Sequence, residues 1–386
     1  MPTTVFKNML YRLALPFCAP GCGQCPISCQ SGHDLNNADA FVHLIRKYHV
    51  LGSATYLSSG NQSVLILTSS EDPCHKPLSD TFFRVASITK TATSALVLHL
   101  SDLGILNIDM PLSDLFSSES EQKALSGITL RHLLSHTSGI IDPPGLEQSV
   151  ENGIPFSDLL SVARCFTPGA EFHYSNLGFG LIGCILEQVL QIPLSAVFSQ
   201  YLFSPLDMNA TLEGCSIPRH KIMPVTRILP YHKDSEVIIT RLGSVSLTHP
   251  DPLRHYGHTA GSMYTDIQSL CKLLKTLSSD DNSYISSSAL ANMKAEHASY
   301  GRLSPTLTYG LGLLRINDPF ISDSIVYGHQ GFAYGCADGA FWDDRTKCLF
   351  VTLNGGCSEA RKGRLGAANR DLLHWAYRKE LPSWSK

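Results

Sequence analysis

This 386-residue sequence has few charged residues and no long apolar run. Only 16% of the residues are charged and the formal net charge is −3, so we expect no basic surface suited to nucleic acid. No run approaches the roughly 18 apolar residues that a membrane-spanning helix needs, so no membrane span is expected. The hydrophobic fraction of 43% instead predicts a soluble globular protein with a large core.

The amino terminus lacks the pattern of a secretory signal. Its short apolar patch, Met9–Phe17, is broken by Arg12 and is followed by no small-residue cleavage site. Eight of the twelve cysteines are scattered through apolar stretches such as Gly183–Leu186, where a free cysteine behaves as a small buried hydrophobe. Both observations favour a reducing compartment, and we predict a cytoplasmic protein.

The other four cysteines, Cys18, Cys22, Cys25 and Cys29, lie within twelve residues of one another. Four thiolates this close can form a tetrahedral site, so a structural zinc or iron–sulfur centre is one interpretation. The alternative is a cysteine-rich leader, residues 1–33, without metal. The spacing also matches the cluster loop of radical S-adenosylmethionine enzymes, but the alternating strand–helix barrel of those enzymes is not predicted here. No other metal or cofactor is predicted from the sequence.

Hydrophobic patterning divides the rest of the chain into a sheet-forming part and a helical part. A helix and two hairpin-linked strands come before residue 89, helices and turns dominate residues 90–225, and strands return afterwards. We therefore predict an α/β fold of the α+β type, in which a central antiparallel β-sheet flanked by terminal helices is interrupted by a mostly helical subdomain. The predicted main domain covers residues 34–378, with a sheet lobe (34–89 and 226–378) and a helical lobe (90–225).

The individual helices and strands are predicted from the periodicity of apolar residues and from turn-forming residues. The predicted helices are Asn36–Val50, Thr91–Leu103, a short one within Ile128–Gly139, Leu177–Leu190, Ser195–Phe203, Asp266–Leu277 and Leu365–Arg378. The predicted strands are Gly52–Leu57, Ser63–Leu67, Val237–Thr240, Val245–Thr248, Tyr309–Ile316, Ser324–Tyr327, Gly339–Trp342 and Cys348–Leu353.

A serine and a lysine three residues apart, Ser87 and Lys90, stand at the start of the helix predicted at Thr91–Leu103. Residues three apart share one face of a helix, so the lysine would lie one turn beneath the hydroxyl. Burial can lower the pKa of a lysine toward neutrality, which would let it take the serine proton. The same Ser-x-x-Lys pattern occurs at three other places in the chain, and alone it is far more typical of an ordinary helix start than of a nucleophile.

Two later motifs add polar side chains that could face a common cleft. Tyr174-Ser-Asn176 is the only Tyr-x-Asn in the chain, and in an extended loop its first and third side chains point the same way. His329-Gln-Gly331 is predicted at the end of a strand. Asn176 and His329 each have a structural alternative, as a loop cap and as a strand-end histidine. His136 is predicted to be a structural histidine that bonds turn backbone.

Taken in order, these motifs resemble the serine β-lactamase and penicillin-binding-protein superfamily. The resemblance is closest to class C β-lactamases and to related D-aminopeptidases, D,D-peptidases and esterases, and it covers about residues 38–376. The matching segments are Arg84-Val-Ala-Ser-Ile-Thr-Lys90, Thr129-Leu-Arg-His-Leu-Leu-Ser-His-Thr-Ser-Gly139, Pro168-Gly-x-x-Phe-x-Tyr-Ser-Asn176, Gly328-His-Gln-Gly331 and, more weakly, Ala260-Gly-Ser-Met-Tyr-Thr-Asp266.

The resemblance implies catalytic roles for three residues. Ser87 would be the acylated nucleophile of a serine hydrolase, and Lys90 and Tyr174 would share its proton and relay it to the leaving group. A phenol with a pKa near 10 needs a neighbouring cation to act as a base at neutral pH, and Lys90 would supply that cation.

The resemblance also implies how a substrate would be held. Asn176 would hydrogen-bond a substrate amide, and His329 and Gly331 would line the sheet side of the cleft. The backbone N–H groups of Ser87 and Phe332 would form an oxyanion hole, where one donor is typically worth about 3–4 kcal/mol.

One departure from the family pattern bears on the substrate. His329 stands where typical β-lactamases and penicillin-binding proteins have a lysine that grips a substrate carboxylate, and histidine is largely neutral at pH 7. We therefore expect a D-aminopeptidase, amidase or esterase that acts through an acyl-enzyme on a small molecule or short peptide. The alternatives are a D-Ala-D-Ala carboxypeptidase or class C-like β-lactamase, an acyltransferase using the same site, and a catalytically silent ligand-binding relative.

Overall fold

The computed structural model describes residues 27–30, 35–70, 76–145, 163–228, 231–233, 258–302, 304–333, 335–358 and 364–384. The strands in these ranges are β1 (Ile27–Gln30), β2 (Ser53–Ser59), β3 (Gln62–Thr68), β4 (Phe83–Arg84), β5 (Ala210–Thr211), β6 (Thr226–Ile228), β7 (Tyr231–Lys233), β8 (Tyr264–Thr265), β9 (Ala298–Ser299), β10 (Leu307–Tyr309), β11 (Leu314–Ile316), β12 (Val326–Ala333), β13 (Cys336–Asp343) and β14 (Cys348–Asn354). The α-helices are α1 (Ala38–Lys47), α2 (Thr89–Asp102), α3 (Glu119–Leu125), α4 (Leu130–Leu134), α5 (Asn176–Leu190), α6 (Leu194–Phe198), α7 (His258–Gly261), α8 (Ile267–Ser278), α9 (Ser287–Lys294), α10 (Ala367–Trp375) and α11 (Leu381–Trp384).

Within those ranges, nine strands form one sheet in the order β1-β3-β2-β14-β13-β12-β11-β10-β9. Every neighbouring pair in it is antiparallel. Strands from the two ends of the chain meet where β2 pairs with β14, and the helices α2 to α6 lie between them in sequence. The predicted fold class is confirmed, whereas the division into two lobes stays a prediction.

Side chains on the two faces of the sheet enter separate cores. In β14, Leu349, Val351 and Leu353 pack into the core that contains α2 and α8, while Phe350 packs into the core beneath α1 and α10. A strand that is buried on both faces should be largely apolar, which explains the mostly apolar run Cys348–Leu353 that predicted this strand. The terminal helices contact each other through Phe41 and Trp375, whose ring centroids are 4.9 Å apart.

Helix α2 is buried nearly all round, as its sequence predicted, and it begins two residues before the predicted start at Thr91. A single 3₁₀ turn, Ala86–Ile88, leads into it from β4. No single helix in the described part of the chain is long and apolar enough to cross a membrane. Helix α5 and Leu194–Phe203 together have the length and apolar composition of a membrane span, but the chain bends by 87° between them.

Two predictions about strands were wrong. Tyr309–Ile316 is not one strand but two, β10 and β11, separated by a turn in which Gly312 has φ +69° and touches Ser94 of α2 too closely for any side chain. The strand predicted at Ser324–Tyr327 continues to Ala333 as β12, so His329 lies inside a strand and not at its end.

One described strand lies within the predicted leader, and the leader itself stays a prediction. Within residues 1–33, Ile27–Gln30 forms the edge strand β1 beside β3, with Cys29 opposite Ile66. The strands predicted at Val237–Thr240 and Val245–Thr248 lie outside the described residues.

Candidate active site

Ser87 is presented by a tight turn between β4 and α2. Ala86, directly before it, has φ +46°, a left-handed conformation that costs a non-glycine residue about 1–2 kcal/mol. The turn leaves Ser87 partly exposed while Ala86 and Ile88 on either side are buried. The predicted spacing then places Lys90 beneath the hydroxyl, with 3.2 Å between Lys90 Nζ and Ser87 Oγ.

Lys90 is fully buried and has three polar contacts. Besides Ser87, its Nζ lies 2.9 Å from Asn176 Oδ1 and 2.7 Å from the carbonyl oxygen of Ala260 in α7. Burial lowers the pKa of Lys90 to about 7; the charge of Asp142 opposes this shift and that of Arg84 adds to it.

These contacts suit a neutral amine as well as an ammonium group. The two oxygens from Asn176 and Ala260 can only accept hydrogen bonds, so they occupy both N–H donors of a neutral Lys90. The lone pair of the nitrogen is then left for the third contact, Ser87 Oγ. In this state Lys90 can accept the proton of the serine hydroxyl.

Tyr174 contacts the same serine from the other side. Its hydroxyl donates a hydrogen bond to Ser87 Oγ at 2.8 Å, and Lys90 Nζ lies 4.8 Å from the centre of its ring. Burial raises the pKa of Tyr174 above its usual value, against the opposing effect of the bond to Ser87. The raised pKa favours the protonated phenol, which donates to Ser87 Oγ in this arrangement. The role of Tyr174 as a base assisted by a cationic Lys90 stays a prediction.

Asn176 is the first residue of α5 and lies between Lys90 and a carboxylate. Its Oδ1 faces Lys90, and its Nδ2 donates to Asp142 Oδ2 at 3.1 Å. The role of Asn176 toward a substrate amide stays a prediction. The sequence analysis did not identify Asp142. The only signal for it was an acidic residue shortly after the Thr129–Gly139 segment.

His329 is 3% exposed and has both ring nitrogens hydrogen-bonded. Nδ1 lies 2.6 Å from the carbonyl oxygen of Gln330, and because that oxygen only accepts, Nδ1 carries the proton. Nε2 therefore accepts from the hydroxyl of Tyr309 at 2.9 Å. Burial, reinforced by Lys90, lowers the pKa of His329 to about 3, so this ring is neutral as predicted.

The ring of His329 lies 6.4 Å from that of Tyr174, centre to centre. The histidine thus lies close to the Ser87 cluster, but it would have to give up one of its two hydrogen bonds to bind a polar substrate group directly. Its role in lining the cleft stays a prediction. Tyr309, its partner, was not found by the sequence reasoning.

Gly331 brings β12 against the turn that carries Ser87. A Cβ atom at this position would lie 2.4 Å from the carbonyl oxygen of Val85, so only glycine permits this approach. The next residue, Phe332, directs its ring to the other face of the sheet, against Gly366. Its backbone N–H as an oxyanion donor stays a prediction.

His136 has the structural role predicted for it. Its Nδ1 accepts a hydrogen bond from the backbone N–H of Ser175 at 3.2 Å. Its ring lies 4.3 Å from that of Tyr174. Burial, with Lys90 acting in the same direction, holds the pKa of His136 well below its ordinary value, so it supports the loop as a neutral ring.

The metal hypothesis concerns residues that the structure does not describe. Cys18, Cys22 and Cys25 lie outside the described ranges, as does the side chain of Cys29. Among the residues with described side chains, no group of three or more histidines, cysteines or acidic residues is arranged to hold a metal ion. A zinc or iron–sulfur site at the four cysteines therefore stays a prediction.

Comparison with known proteins gives one family match and several relatives. A family model described as Beta-lactamase matches residues 37–361. Esterase EstB of Burkholderia gladioli is 29% identical over 171 residues, which cover 38% of this chain and 43% of the relative. The D-alanyl-D-alanine-carboxypeptidase/endopeptidase AmpH of Escherichia coli K12 is 29% identical over 180 residues, covering 44% and 47%. The alignments thus span less than half the length of these curated relatives.

Solved structures match over most of the chain. A D-stereospecific amidohydrolase from Streptomyces sp. is 23% identical with a TM-score of 0.64, covering 86% of this chain and 95% of that one. The D-amino acid amidase from Ochrobactrum anthropi SV3, complexed with L-phenylalanine, is 20% identical with a TM-score of 0.67, covering 89% and 97%. At these identities the matches show a shared fold.

Proposed function

The chain belongs to the Beta-lactamase family, and from that premise we propose that it is a serine hydrolase with Ser87 as its nucleophile. The substrate is an amide or ester of a small molecule or short peptide, as for a D-aminopeptidase, an amidase or an esterase. The similarity to an esterase and to D-amino acid amidases supports this class of reaction. The chemistry uses no cofactor.

The contact set of Lys90 carries the proposal. A lysine with a pKa of about 7 is largely neutral at slightly alkaline pH, and its lone pair then faces Ser87 Oγ at 3.2 Å. A general base is most effective when its pKa lies near the working pH. Lys90 accordingly takes the hydroxyl proton as Ser87 Oγ bonds to the substrate carbonyl carbon.

Tyr174 completes the acylation step. The tetrahedral intermediate places its negative oxygen near the backbone N–H groups of Ser87 and Phe332, which we assign as the oxyanion hole. Tyr174 gives its proton to the departing nitrogen or oxygen and is reprotonated from Lys90. The proton of the serine thereby ends on the leaving group, and the acyl group stays as an ester on Ser87.

Water then releases the acyl group by the reverse sequence. The water gives its proton to Lys90 as its oxygen attacks the ester carbonyl, and the proton returns to Ser87 Oγ as the ester bond breaks. An acceptor alcohol or amine in place of water would make the same site an acyltransferase. Asn176 is proposed to bind the substrate amide once substrate displaces part of its present contacts.

His329 supports the preference for substrates without a carboxylate at the sheet side of the cleft. A neutral ring whose two nitrogens are already bonded supplies no fixed positive charge for a carboxylate. A D-Ala-D-Ala carboxypeptidase remains the second candidate because AmpH is among the relatives.

We also propose that the chain forms two lobes. The sheet lobe comprises residues 34–89 and 226–378, and the helical lobe comprises residues 90–225.

The first test is chemical labelling of the nucleophile. A fluorophosphonate or penicillin-type probe should add one acyl or phosphonyl group to the protein, and mass spectrometry should locate it on Ser87. The Ser87→Ala variant should lose labelling and turnover. Labelling that persists at another serine would contradict the assignment, and a folded wild-type protein that never labels or turns over would favour a silent relative.

A substrate panel then separates the remaining classes. D-alanine amides, p-nitrophenyl esters and nitrocefin are offered to the same preparation, with acyl-enzyme at Ser87 followed by mass spectrometry. Turnover of amides or esters well above that of nitrocefin supports the proposal. Nitrocefin turnover that equals or exceeds it would favour a β-lactamase or D,D-peptidase instead.

A further inference from the structure

Asp142 has a place in the site that no motif predicted. It lies in an irregular segment between the Ser138–Gly139 turn and Pro143, and it is only partly exposed. The residue before it, Ile141, is fixed by a backbone hydrogen bond to the carbonyl oxygen of Ala163 at 2.8 Å. The carboxylate is therefore held in a defined position beside the start of α5.

Both oxygens of Asp142 accept hydrogen bonds from the Tyr174-Ser-Asn176 loop and the first turn of α5. Oδ1 accepts from Ser175 Oγ at 2.8 Å and from the backbone N–H of Leu177 at 2.9 Å. Oδ2 accepts from the backbone N–H of Asn176 at 3.0 Å and from its Nδ2 at 3.1 Å. A negative charge at a helix N-terminus is favourable, but a simple cap does not need the fourth bond, which is to a side chain that contacts Lys90.

That fourth bond decides which way the Asn176 amide faces. A carboxylate accepts and cannot donate, so the amide must present Nδ2 to Asp142 and Oδ1 to Lys90. The Oδ1 contact occupies one N–H of neutral Lys90, and the Ala260 carbonyl occupies the other. We propose that Asp142 is a positioning residue that sets the Asn176 amide and thereby aims the lone pair of Lys90 at Ser87. This inference rests on the proposed function.

The charge of Asp142 acts on the same base. It raises the pKa of Lys90, whereas burial and Arg84 lower it. The other titratable groups that face Lys90 among the described residues are Tyr174, His136 and His329, and burial keeps all three neutral around pH 7. Asp142 is therefore the anion that sets how far the pKa of Lys90 falls.

The test is Asp142→Asn, assayed as kcat and KM across pH. Misdirecting the Lys90 lone pair should lower kcat about 10- to 100-fold, a larger effect than the change in KM that follows from the altered contacts of Asn176. Losing the negative charge should also lower the pKa of Lys90, so the rise of kcat/KM with pH should move to lower pH. If Asp142 had only a structural role, Asp142→Asn would be less stable, but the pH at which kcat/KM rises would stay unchanged.

Ser175→Ala is the matched control. It removes another donor to Asp142 and the cap on the Gly178 N–H, but it leaves the charge and the Asn176 bridge. The melting temperature should fall while the pH at which kcat/KM rises stays in place. The inference is overturned if folded Asp142→Asn keeps wild-type kcat and pH dependence, or if Ser175→Ala moves the pH dependence equally.

Asp142→Glu covers the case in which Asp142→Asn does not fold. It keeps the negative charge but displaces the oxygens by one methylene, so the pH dependence should stay while kcat falls. A wild-type kcat in this variant would overturn the inference. Activity that survives Ser87→Ala would instead reject the proposed function, so the two failures are distinguishable.

Discussion

Lys90 is unusual because a fully buried lysine must either lose its proton or find compensation for the desolvation of its charge. Its three polar contacts in this site are all to neutral oxygens. The charge of Asp142 raises the pKa of Lys90 without direct contact, with Asn176 lying between the two side chains. The pKa of Lys90 is thereby kept near neutral pH, where the side chain can both accept and donate a proton.

The pH dependence of kcat/KM follows from this balance. With a neutral substrate, activity requires deprotonated Lys90, whose pKa is lowered to about 7. We therefore expect kcat/KM to fall about tenfold per pH unit below that value, since protonation removes the base. Initial rates between pH 5 and 9 measure it. Circular dichroism over the same range must show an intact fold for the result to count, and activity that is flat from pH 5 to 9 would contradict the assignment of Lys90.

The sequence identified the local part of this site but not its long-range partners. Ser87 and Lys90 are three residues apart, so helix geometry alone brings them together. Tyr174 and Asn176 reach them across 87 and 86 residues, and only the family resemblance joined those motifs. Asp142 could not be found because its role is to accept bonds from backbone and amide donors, which leaves no residue pattern.

Among the elements, β12 packs directly against the turn that carries Ser87. It pairs with β11 only as far as Gly328, and beyond that residue its backbone packs against the Ser87 turn. Periodicity could not reveal this, because the polar and small residues from His329 to Gly331 look like the end of a strand. The close backbone approach at Gly331 is a tertiary contact that a sequence pattern does not contain.

Gly331→Ala tests that contact. A methyl group 2.4 Å from the Val85 carbonyl oxygen must push β12 away from the turn, at a cost of about 1–3 kcal/mol. We expect a lower free energy of unfolding in urea and a loss of kcat, because the Phe332 N–H moves with the strand.

Gly178→Ala is the control for that variant. Its added Cβ would meet only ordinary contacts of 3.5 Å or more, and alanine is favoured over glycine inside a helix by about 1 kcal/mol. It should be neutral or stabilising with kcat retained. Equal behaviour of the two variants would show that Gly331 is not a close-packing position.

Across the whole molecule, the two terminal helical regions are joined on the face of the sheet opposite the Ser87 helix. Glu380 is fully buried and accepts hydrogen bonds from the backbone N–H groups of Asn36 and Asn37 and from Trp384 Nε1. The sequence predicted both helices but not this carboxylate, since an acidic residue near a helix end is ordinarily solvated.

Glu380→Ala should therefore destabilise the fold without touching the chemistry. Trp384 Nε1, which is buried, and the partly buried backbone N–H groups of Asn36 and Asn37 lose their acceptor. A buried donor left unsatisfied costs about 1–3 kcal/mol, so the free energy of unfolding should drop by about 1–3 kcal/mol. Denaturation in urea measures it, with exposed Lys379→Ala as a neutral control. A stability change as small as that of Lys379→Ala, or a changed kcat in the folded fraction, would contradict this account.

The pairing of β2 with β14 has a consequence for synthesis on the ribosome. Strand β3 ends at Thr68 and β14 begins at Cys348, so the hairpin of β2 and β3 is complete about 280 residues before its neighbour in the sheet exists. At about 5–20 residues per second, that edge waits roughly 15–60 s in the nascent chain. During this interval its unpaired N–H and C=O groups are a template for mispairing, which makes the emerging chain a candidate client for chaperones that shield strand edges.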